Sequence, residues 1–114
     1  MDNIKDDAHY VSQVIENISC ILAYANGKTK KDIMEDAVLN DAIMFRLVQL
    51  GENTQRLSHE FKASHANVPW GLIAGFRNGI VHDYAKTDQA VIYEIITKDL
   101  KDLKASLVQK ENQK

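Results

Sequence analysis

Proline, glycine and cysteine are scarce in this sequence of 114 residues, which contains one proline, five glycines and one cysteine. No segment alternates apolar and polar residues in the way that half-buried strands do. The rarity of helix breakers and the missing strand pattern together favour an all-helical fold. Because Cys20 is alone, no internal disulfide can form, and a reducing compartment fits best.

Long apolar runs and a strong excess of one charge are also missing. No stretch reaches about 18 consecutive apolar residues, and residues 1–7 lack the pattern of a signal peptide. We therefore expect a cytoplasmic protein with no membrane contact. The formal net charge is −2, so no general basic field would hold nucleic acid, and any contact with RNA must be local.

Apolar residues recur at helical spacing in four segments, and 114 residues suffice for one domain over residues 1–114. We predict an up-and-down bundle of four main helices plus a short connecting helix. The expected inner stripes are Ile4, Ala8, Val11, Ile15, Ile18, Leu22 and Ala25; Leu39, Ile43, Leu47, Leu50, Thr54, Leu57 and Phe61; Trp70, Ile73, Phe76, Ile80 and Tyr84; and Ile92, Ile96, Leu100, Leu103 and Leu107.

Helix-capping and helix-breaking residues set the expected helix boundaries. Asn26-Gly27 should end the first helix, and Thr29 should cap the short one. The second long helix is predicted from about Asp36 to Lys62. Pro69 should begin the third helix, because its missing donor costs nothing there. Thr87-Asp88 should cap the last helix, and the tail from about residue 109 should fray.

Polar chemistry is concentrated in the eight residues from Arg77 to Tyr84. Arg77 offers a permanent planar cation suited to phosphate, and His82 can move a proton near neutral pH. On a regular helix these two residues point about 140° apart, so they converge only if the helix ends or bends between them. Asn78 and His82 are four residues apart, so the amide can orient the imidazole. Together they suggest phosphate-ester chemistry without a metal or cofactor.

The pattern Arg77-Asn78, three residues, His82, one residue, Tyr84 resembles the R-N-x-x-x-H-x-Y form found in the HepT-like toxins of the HEPN superfamily. Companion stretches in the same order extend the resemblance over most of the chain. They are Leu50-Gly51-Glu52, Arg56-Leu57-Ser58, Val68-Pro69-Trp70 with Ile73, and Asp99-Leu100. Gly79, where the family often has a larger residue, departs from the pattern and could loosen a helix there.

The resemblance implies a HEPN-like homodimer with a composite endoribonuclease site. One histidine can hardly supply both the base for the 2′-hydroxyl and the acid for the leaving 5′-oxygen, whereas a twofold dimer supplies two. We assign His82 to proton transfer, Arg77 to the phosphate and Asn78 to orienting His82 or the substrate. Gly51 and Glu52 are candidates for supporting the site or the interface, since a Gly-Glu pair recurs there in the family.

The resemblance also implies a toxin-antitoxin pair of the type VII kind. In the family, a minimal nucleotidyltransferase of the MntA type acts as antitoxin and transfers AMP to the tyrosine that corresponds to Tyr84. An alternative is a non-catalytic dimeric subunit that presents substrate or nucleotide to such a transferase. A purely structural interpretation also remains, in which Arg77 caps carbonyls or pairs with a carboxylate and His82 forms a hydrogen bond with the backbone at a helix end.

Histidines and acidic residues elsewhere give no metal-site pattern. His9, His59 and His65 lie in different segments without the spacing of four that places two ligands on one helix face. Glu52 and Arg56 do have that spacing and should form an ion pair. An exposed pair of this kind stabilises a helix by at most a few tenths of a kcal/mol.

Overall fold

The structure, a computed structural model, describes residues 6–71, 73–75 and 89–111, and every regular element among them is helical. The prediction of an all-α fold is therefore confirmed. The first part of the chain forms α1 (Asp7–Ala25), α2 (Lys30–Glu35), α3 (Ala37–Gln55) and α4 (His59–Ser64). Residues 70, 71 and 73–75 are also helical. Finally, α5 (Gln89–Glu94) continues through a π-helical turn (Ile95–Asp99) into α6 (Leu100–Glu111).

The ends of α1 and α2 follow from their capping residues. Asp6 caps α1 by accepting a 3.1 Å hydrogen bond from the backbone N–H of His9. The helix stops at Asn26, and Gly27 takes φ 74°, a conformation that glycine adopts without steric cost. Thr29 and Asp32 form a reciprocal capping box at the start of α2. The predicted boundaries at Asn26-Gly27 and Thr29 are confirmed.

The prediction of one long helix from Asp36 to Lys62 is wrong. Asp36 does cap α3, but this helix ends at Gln55 and α4 starts at His59. Ser58 is extended and accepts a 3.0 Å bond from the N–H of Phe61, so it caps a new helix. Its own N–H, which a continuous helix would use internally, donates instead to Asp7 at 2.8 Å. The interruption therefore has a tertiary cause that the periodicity of the segment does not reveal.

One apolar core joins the helices. Its fully or nearly buried members are Val11, Val14, Ile18, Ile21, Ile33, Ile43, Met44, Leu47, Leu50, Leu57, Val68, Ile73, Ile92, Ile95, Ile96, Leu100, Leu103 and Leu107. The stripe of α1 is rotated from the predicted one, because Val14 and Ile21 are fully buried whereas Ile15 and Leu22 only flank the core. Both rows step by three and four residues, so spacing alone did not distinguish them.

The last helices match their predicted stripe, since all five expected apolar residues are buried. Lys98 and Lys101 are exposed, whereas Lys104 is partly buried. The π-helical turn at Ile95–Asp99 was not predicted; it also brings Ile95 into the core. Fraying of the tail from residue 109 stays a prediction. Within the described ranges, no helix is both long and apolar enough to cross a membrane.

Candidate functional site

The four residues of the central motif, Arg77, Asn78, His82 and Tyr84, lie outside the described residues, and so do the predicted caps Thr87 and Asp88. The described chain ends before the motif at Gly75 and resumes at Gln89. The structure therefore shows what fixes the chain on both sides of the motif, and where the companion residues lie.

Trp70 fixes the helical turn that leads towards the motif. Its indole N–H donates to two backbone carbonyls, those of Lys62 and His65, each at 3.1 Å. The N–H of Ile73 donates to the Pro69 carbonyl at 3.2 Å. Pro69 thus directly precedes the new helix, whose first residue is Trp70, one position after the predicted start. Ile73 is buried in the core. The chain thus enters the motif from a turn held by side-chain and backbone bonds.

His65 stabilises the turn between α4 and Pro69, a role that the sequence did not indicate. The side chain is 7% exposed and stacks on Phe61 with ring centres 4.1 Å apart. Its Nδ1 lies 2.8 Å from the Phe61 carbonyl oxygen. This contact requires a proton on Nδ1, because a carbonyl can only accept. Nε2, the second ring nitrogen, is enclosed and has no hydrogen-bond partner among the described residues.

Gly51 and Glu52, the other predicted site residues, lie near the C-terminal end of α3. Gly51 is buried, and its carbonyl accepts a 2.9 Å hydrogen bond from the Thr54 hydroxyl. The Glu52 side chain is 28% exposed and approaches Arg56 with an oxygen-to-nitrogen distance of 3.9 Å. The predicted ion pair therefore forms. Because Glu52 is only partly covered, its carboxylate can take part in a surface site.

Asp7 ties the first helix to the end of this region. Its carboxylate accepts bonds from the backbone N–H of Ser58 at 2.8 Å and from the Ser58 hydroxyl at 2.6 Å. Hydrogen bonds to a charged acceptor are short and strong. They fix the junction between α3 and α4 and thereby the position of Glu52 and Arg56 relative to α1. Residues 7 and 58 are too distant in sequence for spacing to suggest this contact.

A second polar group, also missed by the sequence analysis, lies between α1 and α3. Arg46 donates to the Asn17 side-chain oxygen at 3.3 Å, and the buried Asn17 donates to the Gln13 carbonyl at 2.9 Å. A hydrogen bond with Tyr24 raises the pKa of Arg46 above its ordinary value, and Glu16 adds to the shift. Arg46 is thus committed to contacts within the fold. The only feature of the sequence that could have indicated this role is the position of a cationic residue within an apolar segment.

A pocket of about 200 Å³ lies beside the entry to the motif. Its lining consists of Asn67, Val68, Pro69, Ile73, Asp99, Leu100, Asp102, Leu103 and Ser106. The pocket joins two of the companion stretches, Val68-Pro69 and Asp99-Leu100, which are distant in sequence. Its two carboxylates would repel a phosphate, so we interpret it as part of the framework and not as the place where RNA binds.

Potential metal ligands are dispersed in the described parts of the chain. His9 packs edge-on against Tyr10, and His65 is enclosed as described above. No group of three or more histidine, cysteine, aspartate or glutamate side chains within residues 6–71, 73–75 and 89–111 could hold a metal ion.

Comparison with known proteins identifies the family. The sequence model described as Ribonuclease HepT-like matches residues 14–109, which include the whole segment from Arg77 to Tyr84. The chain belongs to the HepT-like ribonuclease family. The predicted resemblance to HepT-like proteins of the HEPN superfamily is therefore confirmed, and with it the prediction of a ribonuclease.

Several HepT-like relatives have names that refer to RNA cleavage. A protein of Caldanaerobacter subterraneus subsp. tengcongensis, provisionally named an RNase, is 29% identical over 111 residues, covering 95% of this chain and 99% of its own. The Probable ribonuclease HepT of Thermococcus cleftensis is 25% identical over 95 residues, covering 83% of this chain and 86% of its own.

A third relative, from Methanocaldococcus jannaschii, is named for a gamma-glutamylcyclotransferase and, provisionally, an RNase. It is 29% identical over 104 residues, which cover 91% of this chain but only 47% of that protein. No solved structure matches this HepT-like chain.

Proposed function

We propose that the chain is a metal-independent endoribonuclease whose active site is completed by a second copy, with Arg77, Asn78 and His82 as its catalytic residues. The observation that carries this proposal is the family match over residues 14–109, because it includes all three residues in their expected order. The assignment of these three residues to the active site remains part of the proposal.

The proposed reaction is an attack by the 2′-hydroxyl of the RNA on the adjacent phosphorus. His82 of one copy accepts the hydroxyl proton, and His82 of the other donates a proton to the departing 5′-oxygen. The new P–O bond and the broken one leave a 2′,3′-cyclic phosphate and a free 5′-hydroxyl. The two Arg77 guanidiniums offset the charge that builds up on the phosphate oxygens. Asn78 holds the imidazole in the required direction.

The described residues support this proposal through the framework that they provide. Trp70 and Ile73 fix the helical turn before the motif, and the pocket joins that turn to the last helices. Glu52 is partly exposed on α3, where a carboxylate could position a cation or a histidine of the site. A weak overall charge of −2 fits an enzyme that contacts RNA only at a local cationic site.

Cleavage of a fluorescent RNA by the purified full-length chain, with and without EDTA, tests the nuclease. We expect His82→Ala to lower the rate by about 100-fold or more, because positioned proton transfer typically contributes 10² to 10⁴. Arg77→Ala should cause a similar loss, while circular dichroism shows both variants folded. An unchanged rate in both variants would reject the nuclease. If the folded wild type bound RNA or a nucleotidyltransferase without cleavage, the non-catalytic subunit would be the better assignment.

We further propose that the chain is the toxin of a toxin-antitoxin pair, switched off by AMP transfer to Tyr84 from a minimal nucleotidyltransferase. Each added phosphodiester would place negative charge two residues from His82 and compete with substrate phosphate for Arg77. Enzymatically adenylylated protein should lose most of its cleavage activity, measured on the same RNA. Tyr84→Phe should remain active after the same treatment. Equal activity of modified and unmodified wild type would reject this switch.

A further inference from the structure

We propose that a pocket between the end of α1 and the last helices binds single-stranded RNA outside the catalytic segment. This cationic pocket has a volume of about 320 Å³, and its polar side chains are those of Asn26, Lys28, Tyr93, Thr97 and Lys101. An RNA ligand follows from the proposed function, on which this inference therefore rests. The place and the chemistry of the site follow from the described residues.

Two lysines that are distant in sequence meet at the cationic pocket. Lys28 follows α1, and Lys101 lies on α6, near the other end of the chain. Both residues are exposed, and neither forms an ion pair with a carboxylate in the described parts of the chain. Like charges at one pocket repel each other, and an anion placed between them offsets this repulsion. The pocket is therefore suited to a phosphate group.

The loop that carries Lys28 is fixed by its own hydrogen bonds. The N–H of Lys28 donates to the Ala25 carbonyl at 3.0 Å, and Gly27 takes φ 74°. The nearby carboxylate of Asp32 accepts a 2.9 Å bond from the N–H of Thr29. Hydrogen bonds with Thr29 lower the pKa of Asp32, and the charge of Lys28 adds a smaller effect. Asp32 is thus bound to Thr29 and does not line the pocket, which leaves the Lys28 ammonium available to an anion.

The π-helical turn aligns the other wall of the cationic pocket. On a regular α-helix each step of four residues turns by about 40°, so Tyr93 and Lys101 would point about 80° apart. Here the N–H of Leu100 donates to the Ile95 carbonyl, five residues back, and the wider turn reduces this angle. Tyr93, Thr97 and Lys101 therefore line the same pocket. Short π-helical turns of this kind frequently occur at functional sites.

The side chains of the cationic pocket match the parts of a ribonucleotide. Lys28 and Lys101 suit the phosphate, and the half-buried ring of Tyr93 offers a surface on which a base can stack. The Thr97 hydroxyl donates to the Tyr93 carbonyl at 2.9 Å, so its oxygen is left to accept, for example from a 2′-hydroxyl. An acidic peptide would use the lysines alone. The combination of cations with an aromatic ring favours single-stranded RNA.

The cationic pocket is also near the catalytic segment along the chain. The helix that leads to it begins at Gln89, seven residues after His82. A fully extended chain of that length spans at most about 25 Å. Tyr93 follows Gln89 after about one helical turn. One RNA strand can therefore reach both places.

Fluorescence anisotropy with a labelled single-stranded RNA tests the pocket, using full-length His82→Ala protein as the parent so that the RNA stays intact. Adding Lys28→Gln and Lys101→Gln should raise the dissociation constant about tenfold or more near 0.1 M salt. The slope of log K against log salt should also become shallower by about 1.4, because each contact between a lysine and a single strand contributes about 0.7. Lys30→Gln with Lys98→Gln is the matched control. It removes two exposed lysines from the same regions but outside the pocket, and should bind nearly as the parent does.

The aromatic wall of the pocket has its own test in the same assay. Tyr93→Leu should weaken RNA binding about fivefold or more, as expected for the loss of one stacked base, whereas Tyr93→Phe should bind nearly as the parent does. Circular dichroism checks that each variant is folded. If oligoglutamate bound the parent as tightly as RNA and lost affinity with Lys28→Gln and Lys101→Gln, the pocket would recognise acidic peptides and the proposal would be overturned. Equal weakening by both lysine pairs would overturn it as well.

Cleavage of RNA by proteins that retain His82 separates this inference from the nuclease. We expect Lys28→Gln with Lys101→Gln to raise KM more than it lowers kcat, because the pocket binds RNA without touching the reacting atoms. If the wild type cleaves RNA and this variant has the wild-type dissociation constant and KM, the pocket is rejected although the nuclease stands. If no protein cleaves RNA but the His82→Ala series shows the expected differences in binding, the pocket is supported and the nuclease is rejected.

Discussion

At the scale of the residue, Trp70 links the framework to the candidate site. Its indole N–H donates to the carbonyls of both Lys62 and His65 in a partly buried turn. Trp70→Phe keeps an aromatic ring but removes this donor. We expect the free energy of unfolding to fall by about 1 kcal/mol, the typical net contribution of one hydrogen bond. The two carbonyls keep their backbone donors, the N–H groups of His65 and Val68. Urea denaturation measures this change.

A substitution to phenylalanine at a second half-buried aromatic residue gives the baseline for this measurement. Tyr10 is a half-buried aromatic residue that packs edge-on against His9. Tyr10→Phe should alter the free energy of unfolding by less than about 0.5 kcal/mol, as for most changes away from special features. If Trp70→Phe changed the free energy of unfolding as little, the hydrogen bonds of the indole would not stabilise the turn. If it also lowered kcat with little change in KM, the turn would position the catalytic segment.

Residues whose importance comes from distant contacts could not be found from the sequence. Asp7 and Ser58 are bonded across 51 positions, and no local pattern connects them. His65 occupies a segment that reads as polar, yet it is enclosed by stacking on Phe61. In contrast, Glu52 and Arg56 form the pair that their spacing of four predicts. Chemistry that depends on local spacing is predictable, whereas burial of a polar side chain depends on which elements meet.

At the scale of the element, apolar periodicity predicted the helices well and their interruptions poorly. The last helices bury all five residues of the expected stripe. The break between α3 and α4 was missed because apolar spacing continues across it, through Leu57 and Phe61. What stops α3 is the Ser58 cap together with the Asp7 carboxylate. The π-helical turn at Ile95–Asp99 was likewise missed, because it adds one residue per turn and contains no glycine or proline that would indicate it in the sequence.

At the scale of the whole molecule, the composite site makes activity depend on the pairing of copies. Suppose that inactive His82→Ala protein is mixed with an equal amount of wild type and the subunits are allowed to exchange. Only about one quarter of the dimers are then wild-type homodimers. If one site needs both histidines, the heterodimers are inactive, and activity falls to about a quarter of that of the same total amount of wild type. Independent sites would instead retain about half.

The matched control for mixing is the same pair of proteins assayed before their subunits have exchanged. Without exchange no heterodimers form, so an equal mixture should retain about half of the activity. Cleavage rates across a series of mixing ratios then distinguish a quadratic from a linear dependence on the wild-type fraction. Mass spectrometry shows whether the subunits have exchanged. If they have exchanged and the cleavage rate still depends linearly on the wild-type fraction, each copy carries a complete site and one histidine performs both proton transfers.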